Sequence, residues 1–159
     1  MPLTFNIRHL EDRVLSLKHE LPIAELDLAE VDELVHANKP LSYDLQLERF
    51  EKSILIQGSL RLPLDCECAR CLKPYPHALS LESWTCHLAL EGEEKVKVTN
   101  DCVDLTPYIR EDILLAFPQH PLCGPECKGL VSPQNEGRSG AGLEPESAST
   151  WAELNKLKF

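Results

Sequence analysis

The sequence of 159 residues contains no apolar run of the ~20 residues that a membrane-spanning helix requires. Its first ten residues lack both the charged region and the continuous apolar core of a secretory signal peptide. We therefore predict a cytoplasmic protein, in which a disulfide framework is not expected because the compartment is reducing. The seven cysteines, an odd number, are then metal ligands, buried thiols or a redox pair.

Positive charge is also scarce in this sequence. Lys and Arg number 16 against 26 Asp and Glu, which gives a formal net charge of −10. Such a surface excludes general binding to nucleic acid, because that binding depends on neutralising phosphates with cations. Contact with RNA would have to come from a local basic patch, whereas proteins, including basic ones, are easier partners for an acidic surface.

The residue patterns that carry most enzymatic chemistry are missing as well. The sequence has no glycine-rich phosphate loop, no recognisable pair of catalytic carboxylates and no Ser/His/Asp arrangement with local support. The six histidines are scattered, and His120, the one close to a metal-like cysteine pair, is more simply a surface residue. We predict that the protein is not an enzyme and acts by binding.

Two pairs of cysteines carry the clearest chemical signal. Cys68 and Cys71 are separated by two residues and Cys123 and Cys127 by three, which is typical of thiolate pairs that hold zinc. If the fold brings the pairs together, the four sulfurs form a closed tetrahedral site. That site would be structural, because a catalytic zinc keeps one position open. We predict one structural zinc ion here; idle thiols and a redox pair of Cys68 and Cys71 are the alternatives.

A small group of basic residues accompanies these pairs. Arg70 and Lys73 lie beside the first pair, and Lys128 follows the second. A solvated surface is the simpler interpretation. The sharper hypothesis is that these three residues, named the basic cluster below, contact RNA or a protein partner.

Alternation of apolar and polar residues predicts antiparallel strands. Residues 41–48 and 54–64 alternate on either side of a short polar turn, which is the pattern of a hairpin. Continuing the second strand in steps of two places Cys66 in the core as a buried thiol. In the following strand the apolar parity changes near Glu82, which predicts a bulge or a bend, and Cys86 then falls among the core positions.

Two helices are predicted beside the strands. One spans residues 105–117, with Thr106 as its cap and a proline at its first position. A shorter one begins at Asp27, which forms a capping box with Glu30, and ends before Asn38. The fold class is therefore α+β: a mainly antiparallel sheet, with barrel-like closure left open, covered by one main helix.

Composition divides the chain into three parts. Residues 1–131 form the predicted α+β domain, and residues 132–149, rich in Gly, Ser, Pro and Glu, a flexible linker. Residues 150–159 form a short C-terminal helical motif, which begins with a Thr150 and Glu153 capping box. It is too short to be stably helical alone, so it docks on its own domain or binds a partner. Its apolar stripe consists of Trp151, Leu154 and Leu157.

Three runs of the sequence resemble one known family. They are CARCL at residues 68–72, EDILLAFP at 111–118 and PLCGPECKGL at 121–130. Together they are similar to the YceD family, the bacterial and plastid large ribosomal RNA subunit accumulation proteins, over most of residues 1–130. The run WAELNKL at residues 151–157 is also similar to the ending of that family.

The resemblance implies a bacterial, non-enzymatic factor needed for large-subunit (23S) rRNA to accumulate, through its processing or ribosome assembly. The partner would be a ribosomal protein or a large-subunit rRNA precursor. The family pattern usually continues with two more cysteines, where this sequence has Val131 and Gln134. Only the four cysteines named above then remain as metal ligands. The alternatives are a dithiol redox protein using Cys68 and Cys71, and a zinc-stabilised protein-interaction module unrelated to ribosomes.

Overall fold

The computed structural model describes residues 2–11, 13–29 and 31–130. The predicted linker at 132–149 and the predicted helical motif at 150–159 lie outside the described residues. No helix within the described part of the chain has the length and apolar character needed to cross a membrane. In chain order the elements are β1 (Thr4–Asn6), a 3₁₀ turn (Ile7–Leu10), β2 (Leu15–Leu21), α1 (Ile23–Leu26), β3 (Val35–His36), β4 (Leu41–Phe50), β5 (Ser53–Glu67), β6 (Pro74–Ala89), β7 (Cys102–Asp104) and α2 (Thr106–Leu115).

A five-stranded antiparallel sheet is the centre of the fold. Strands β2, β4, β5 and β3 are neighbours in that order, and β6 also pairs with β5 along nearly all of its length. Strands β1 and β7 form a separate two-stranded sheet. The α+β prediction is therefore correct, but barrel-like closure is wrong for the described residues. The edge strands β2 and β6 each pair with one inner strand and not with each other, so the sheet stays open.

The predicted hairpin is confirmed as β4 and β5, joined by a tight turn. The apolar positions of both strands, such as Leu45 and Ile56, are fully buried, which explains the alternation in sequence. Gly58 is required where β5 passes β4, since a Cβ there would overlap the Asp44 carbonyl oxygen. The predicted bulge is also confirmed, because the register between β5 and β6 shifts just after Gly58, opposite Glu82.

The prediction of one main helix matches in part. Helix α2 is the longest in the described chain, and Ile109 and Ile113 on its inner face are fully buried, but the short α1 and the 3₁₀ turn accompany it. The predicted cap at Thr106 is wrong. Asp104 Oδ1 accepts the Thr106 backbone N–H at 2.9 Å, while Thr106 Oγ1 accepts the N–H of Leu3 at 2.9 Å, so the hydroxyl ties α2 to the start of the chain.

The predicted helix from Asp27 is wrong. Asp27 adopts a left-handed conformation with φ of 49° and ends α1 instead of starting a helix. Further on, Val35 and His36 form β3, where Val35 pairs with Cys66 of β5. The β-branched Val35 is buried in that pairing, and this tertiary contact overrides the weak helical pattern.

Candidate metal centre

The first cysteine pair stands in the loop that joins β5 to β6. The backbone N–H of Cys68 donates to the Lys73 carbonyl at 3.0 Å, which closes the base of the loop. The N–H of Leu72 donates back to the Cys68 carbonyl at 2.8 Å. Leu72 has φ of 57°, so the chain reverses within the loop and turns Cys68 and Cys71 to the same side.

The second cysteine pair follows α2 in an irregular segment that is fixed to the first loop. Pro121 is buried, and its carbonyl accepts the backbone N–H of Ala69 at 2.8 Å. Within the pair, the N–H of Cys127 donates to the Gly124 carbonyl at 3.3 Å, which forms a short turn. These backbone bonds bring the second pair onto the β5–β6 loop.

The four sulfurs form one cluster. The Sγ atoms of Cys68, Cys71, Cys123 and Cys127 all lie within 4.8 Å of one another. Two of the distances, Cys68 to Cys127 and Cys71 to Cys123, are 3.7 Å. Zinc–sulfur bonds of about 2.3 Å in a regular tetrahedron place the sulfurs about 3.8 Å apart, so the set fits a tetrahedral thiophilic ion. A disulfide needs about 2.05 Å, and all four cysteines are free.

The electrostatics of the cluster favour one thiolate but not four. Backbone N–H groups of Cys123, Cys71 and Arg70 donate to the Cys68 sulfur and lower the pKa of Cys68 to about 6. Hydrogen bonds to the sulfurs of Cys127, Cys71 and Cys68 raise the pKa of Cys123 to about 12. Negative charge on one sulfur therefore opposes ionisation of the next. A divalent cation among the four would offset that charge and allow full deprotonation.

The structure also brings the basic cluster to this end of the molecule. Arg70, Lys73 and Lys128 are all exposed, and none has an ion-pair partner among the described residues. Lys128 lies near Arg70 because the next residue, Gly129, contacts the first loop. A Cβ on Gly129 would lie 3.6 Å from the Arg70 carbonyl oxygen. Contact of this cluster with RNA or a partner stays a prediction.

The other cysteines and His120 lie outside the sulfur cluster. Cys66 is buried in β5, as predicted, and burial raises the pKa of its thiol. Cys86 is half-buried against the core, and burial raises its pKa to about 11. Cys102 accepts a weak hydrogen bond from Asn6 Nδ2 at 3.9 Å. His120 is exposed and is not a member of the cluster.

Three exposed leucines around the cysteines were missed by sequence reasoning. Leu72 follows Cys71, Leu122 precedes Cys123, and Leu130 comes shortly after the second pair. Their adjacency to cysteine pairs is visible in the sequence. Only the meeting of the two pairs shows that the leucines belong to one end of the molecule.

The chain belongs to the YceD family: the family model described as "Large ribosomal RNA subunit accumulation protein YceD" matches residues 56–158. This confirms the resemblance seen in the sequence, and the match includes both cysteine pairs. We therefore place the sulfur cluster within the part of the chain that the family shares.

Two relatives are named as uncharacterized proteins. An uncharacterized protein of Mycobacterium tuberculosis strain H37Rv is 30% identical over 104 residues, which covers 57% of this chain and 47% of that protein. The uncharacterized protein YlbN of Bacillus subtilis is 31% identical over 100 residues, covering 60% of this chain and 55% of YlbN. The chain thus spans about half the length of these relatives. No solved structure matches it significantly.

Proposed function

We propose that the protein is a cytoplasmic bacterial factor, not an enzyme, that supports accumulation and processing of large-subunit (23S) rRNA and assembly of the large ribosomal subunit by binding. The observation that carries this proposal is the family match over residues 56–158, whose description names accumulation of the large ribosomal RNA subunit. The sulfur cluster supports a binding role, since a closed four-cysteine site leaves no open position for a substrate.

In this proposal the four cysteines hold one structural zinc ion. Cys68 and Cys71 would supply two thiolates from the β5–β6 loop, and Cys123 and Cys127 two from the segment after α2. The ion would join two segments that are 52 positions apart at Cys71 and Cys123. Its contribution is stability and shape at this end of the molecule, because metal binding to such sites is coupled to folding.

The charge of the chain supports a protein partner over extensive RNA contact. A net charge of −10 attracts basic proteins, and ribosomal proteins are a basic class that assembles on large-subunit rRNA. Any direct contact with the rRNA precursor would be limited to a surface such as the basic cluster. The partner we propose is therefore a large-subunit ribosomal protein, with the rRNA precursor as the second choice.

One feature favours the dithiol redox alternative: backbone N–H groups lower the pKa of Cys68. Two others oppose it. Cys68 is 0% exposed, whereas a reactive thiolate needs access to its substrate. The short sulfur contacts run across the two pairs, Cys68 to Cys127 and Cys71 to Cys123. We expect a Cys71→Ser variant to trap no mixed disulfide with a client protein; a trapped client would favour the redox function.

Depletion of the protein tests the ribosomal role. Cells without it should show a lower ratio of 23S to 16S rRNA and fewer complete large subunits in a sucrose gradient. Wild-type protein and a Cys86→Ser variant, altered outside the cluster, should restore both, while Cys68→Ser with Cys127→Ser should restore them poorly. An unchanged ratio with a normal ribosome profile contradicts the proposal. Affinity capture that returns neither rRNA nor ribosomal proteins would instead favour a zinc-stabilised interaction module unrelated to ribosomes.

A further inference from the structure

Three exposed leucines stand in or beside the two cysteine segments. Leu72 is 55% exposed, Leu122 is 39% exposed and Leu130 is 68% exposed. Leu72 and Leu122 are the chain neighbours of Cys71 and Cys123, whose sulfurs lie 3.7 Å apart, so they flank one contact. We call Leu72, Leu122 and Leu130 the leucine patch. Exposed apolar side chains that gather at one place mark interaction sites, so we expect another segment or molecule to bind this patch.

Leu130 belongs to the same end of the molecule through its neighbour Gly129. A Cβ at Gly129 would lie 3.6 Å from the carbonyl oxygen of Arg70, in the middle of the first loop. The chain therefore leaves the described part of the structure, at Leu130, directly beside the first loop. The residues that follow start their path at the patch.

The basic cluster forms a charged margin to the leucine patch. Arg70 and Lys73 are in or beside the loop that carries Leu72, and Lys128 is two residues before Leu130. An apolar centre with a polar margin is the usual anatomy of a protein interface. The fitting occupant has apolar side chains and carries negative charge nearby.

We propose that the leucine patch is the docking site for residues 131–159 of this same chain, with the stripe Trp151, Leu154 and Leu157 against the leucines. The stripe supplies three apolar side chains for three exposed leucines. Residues 131–159 hold four glutamates against one arginine and two lysines, a net charge of −1. The negative charge is concentrated in residues 131–149, which hold three glutamates and one arginine and are opposite in sign to the basic cluster. The assignment does not depend on the ribosomal function.

The length of the chain permits this docking. Twenty residues, 131–150, lie between the patch and Trp151, and an extended chain advances about 3.3–3.6 Å per residue, or roughly 70 Å in all. A tethered segment also meets its site at an effective concentration that reaches the millimolar range for short linkers, so a small contact area suffices. Docking would supply the tertiary contacts that a segment this short needs in order to form a helix.

Fluorine NMR on the full chain tests the proposal. The sequence has two tryptophans, so 5-fluorotryptophan labelling gives two resonances, which a Trp151→Phe variant assigns. We expect the Trp151 resonance to show the small H₂O/D₂O shift of a shielded indole. In the double variant Leu72→Asn and Leu122→Asn, the Trp151 resonance should move to the chemical shift that it has in a free peptide of residues 150–159. It should also show the full H₂O/D₂O isotope shift of an exposed indole. Asn suits the left-handed backbone at Leu72.

A matched control separates docking from a general effect of losing surface leucines. Leu115 on α2 is 76% exposed and belongs to neither cysteine segment, so Leu115→Asn should leave the Trp151 resonance unchanged. The buried Trp84 reports on the fold, and its resonance should be the same in every variant.

Three results would overturn the assignment. One is a Trp151 resonance with the full isotope shift in the wild-type protein. Another is a resonance that the patch substitutions leave in place while that of Trp84 shows an intact fold. The third is shielding of Trp151 that increases with protein concentration, which would show that the patch binds a second copy of the chain.

Discussion

The sulfur atoms of Cys71 and Cys123 lie 3.7 Å apart, although the two residues are separated by 52 positions in the sequence. Cys71 is only half-buried and Cys123 is exposed, so apolar burial contributes little to holding them there. The backbone hydrogen bond from Ala69 to Pro121 fixes one side of the junction. The sulfurs occupy the other side, where a shared metal ion would complete the connection.

Metal content is the first prediction from this relationship. We expect about one zinc per chain by elemental analysis, and a chelator should lower the melting temperature, because the ion contributes to folding free energy. A loss of about 3 kcal/mol would lower the melting temperature by roughly 10 °C in a domain of this size. Cys123→Ser should lose the zinc, whereas Cys86→Ser, outside the cluster, should keep it. Protein that is purified without metal and melts unchanged with chelator would refute the site.

The spacing of the cysteines predicted the two pairs, but the sequence could not show that they meet. Their meeting depends on the β5–β6 loop and on the bond between Ala69 and Pro121, which joins residues more than 50 positions apart. Local patterns contain no information about such a contact. The same holds for the leucine patch, which exists as one surface only after the pairs have come together.

Strand patterns were the most reliable part of the sequence, because a strand with one buried face requires alternation of apolar residues. The parity change near Glu82 even located the bulge, which falls between the Gly58–Trp84 and Leu60–Leu81 pairs. Capping patterns were less reliable. Asp27 ends a helix and Thr106 bonds to Leu3, since short polar side chains bind whichever backbone group the tertiary fold brings near.

The second prediction concerns Cys86 and alkaline pH. Burial, with a smaller contribution from the Asp112 charge, raises the pKa of this thiol from its usual value of about 9 to about 11. Well below pH 9 the thiol is protonated in both states and contributes nothing to pH dependence. Between about pH 9 and pH 11 the unfolded chain ionises first, so the free energy of unfolding should fall as pH rises.

Urea unfolding of wild type and Cys86→Ala at about pH 8 and about pH 10.5 measures this effect, because other titrating groups cancel in the difference. The wild type should lose more stability than the variant over this range. Equal losses in the two proteins would mean that the thiol ionises as readily in the folded state as in the unfolded chain.

The third prediction tests the close approach of β4 and β5. A methyl group at Gly58 would overlap the Asp44 carbonyl oxygen and lie 2.8 Å from the Leu45 Cα, so the strands would have to separate. Gly58→Ala should therefore lower the free energy of unfolding by about 3 kcal/mol or more. Gly124→Ala is the matched control, since nothing lies within 4 Å of its Cβ position, and it should change stability by no more than about 0.5 kcal/mol. Equal effects of the two substitutions would contradict the register of the hairpin.

The fourth prediction concerns the bond that fixes α2 to the sheet. Trp84 Nε1 on β6 donates to Asp112 Oδ2 on α2 at 2.6 Å, and α2 leads into the second cysteine pair. A hydrogen bond to a charged acceptor contributes about 1.5–3 kcal/mol, so Trp84→Phe and Asp112→Ala should each destabilise the protein by at least that amount. The double variant should cost less than the sum of the two, with a coupling of about 1–2 kcal/mol in urea unfolding. Strictly additive costs would show that this bond does not set the position of α2 against the sheet.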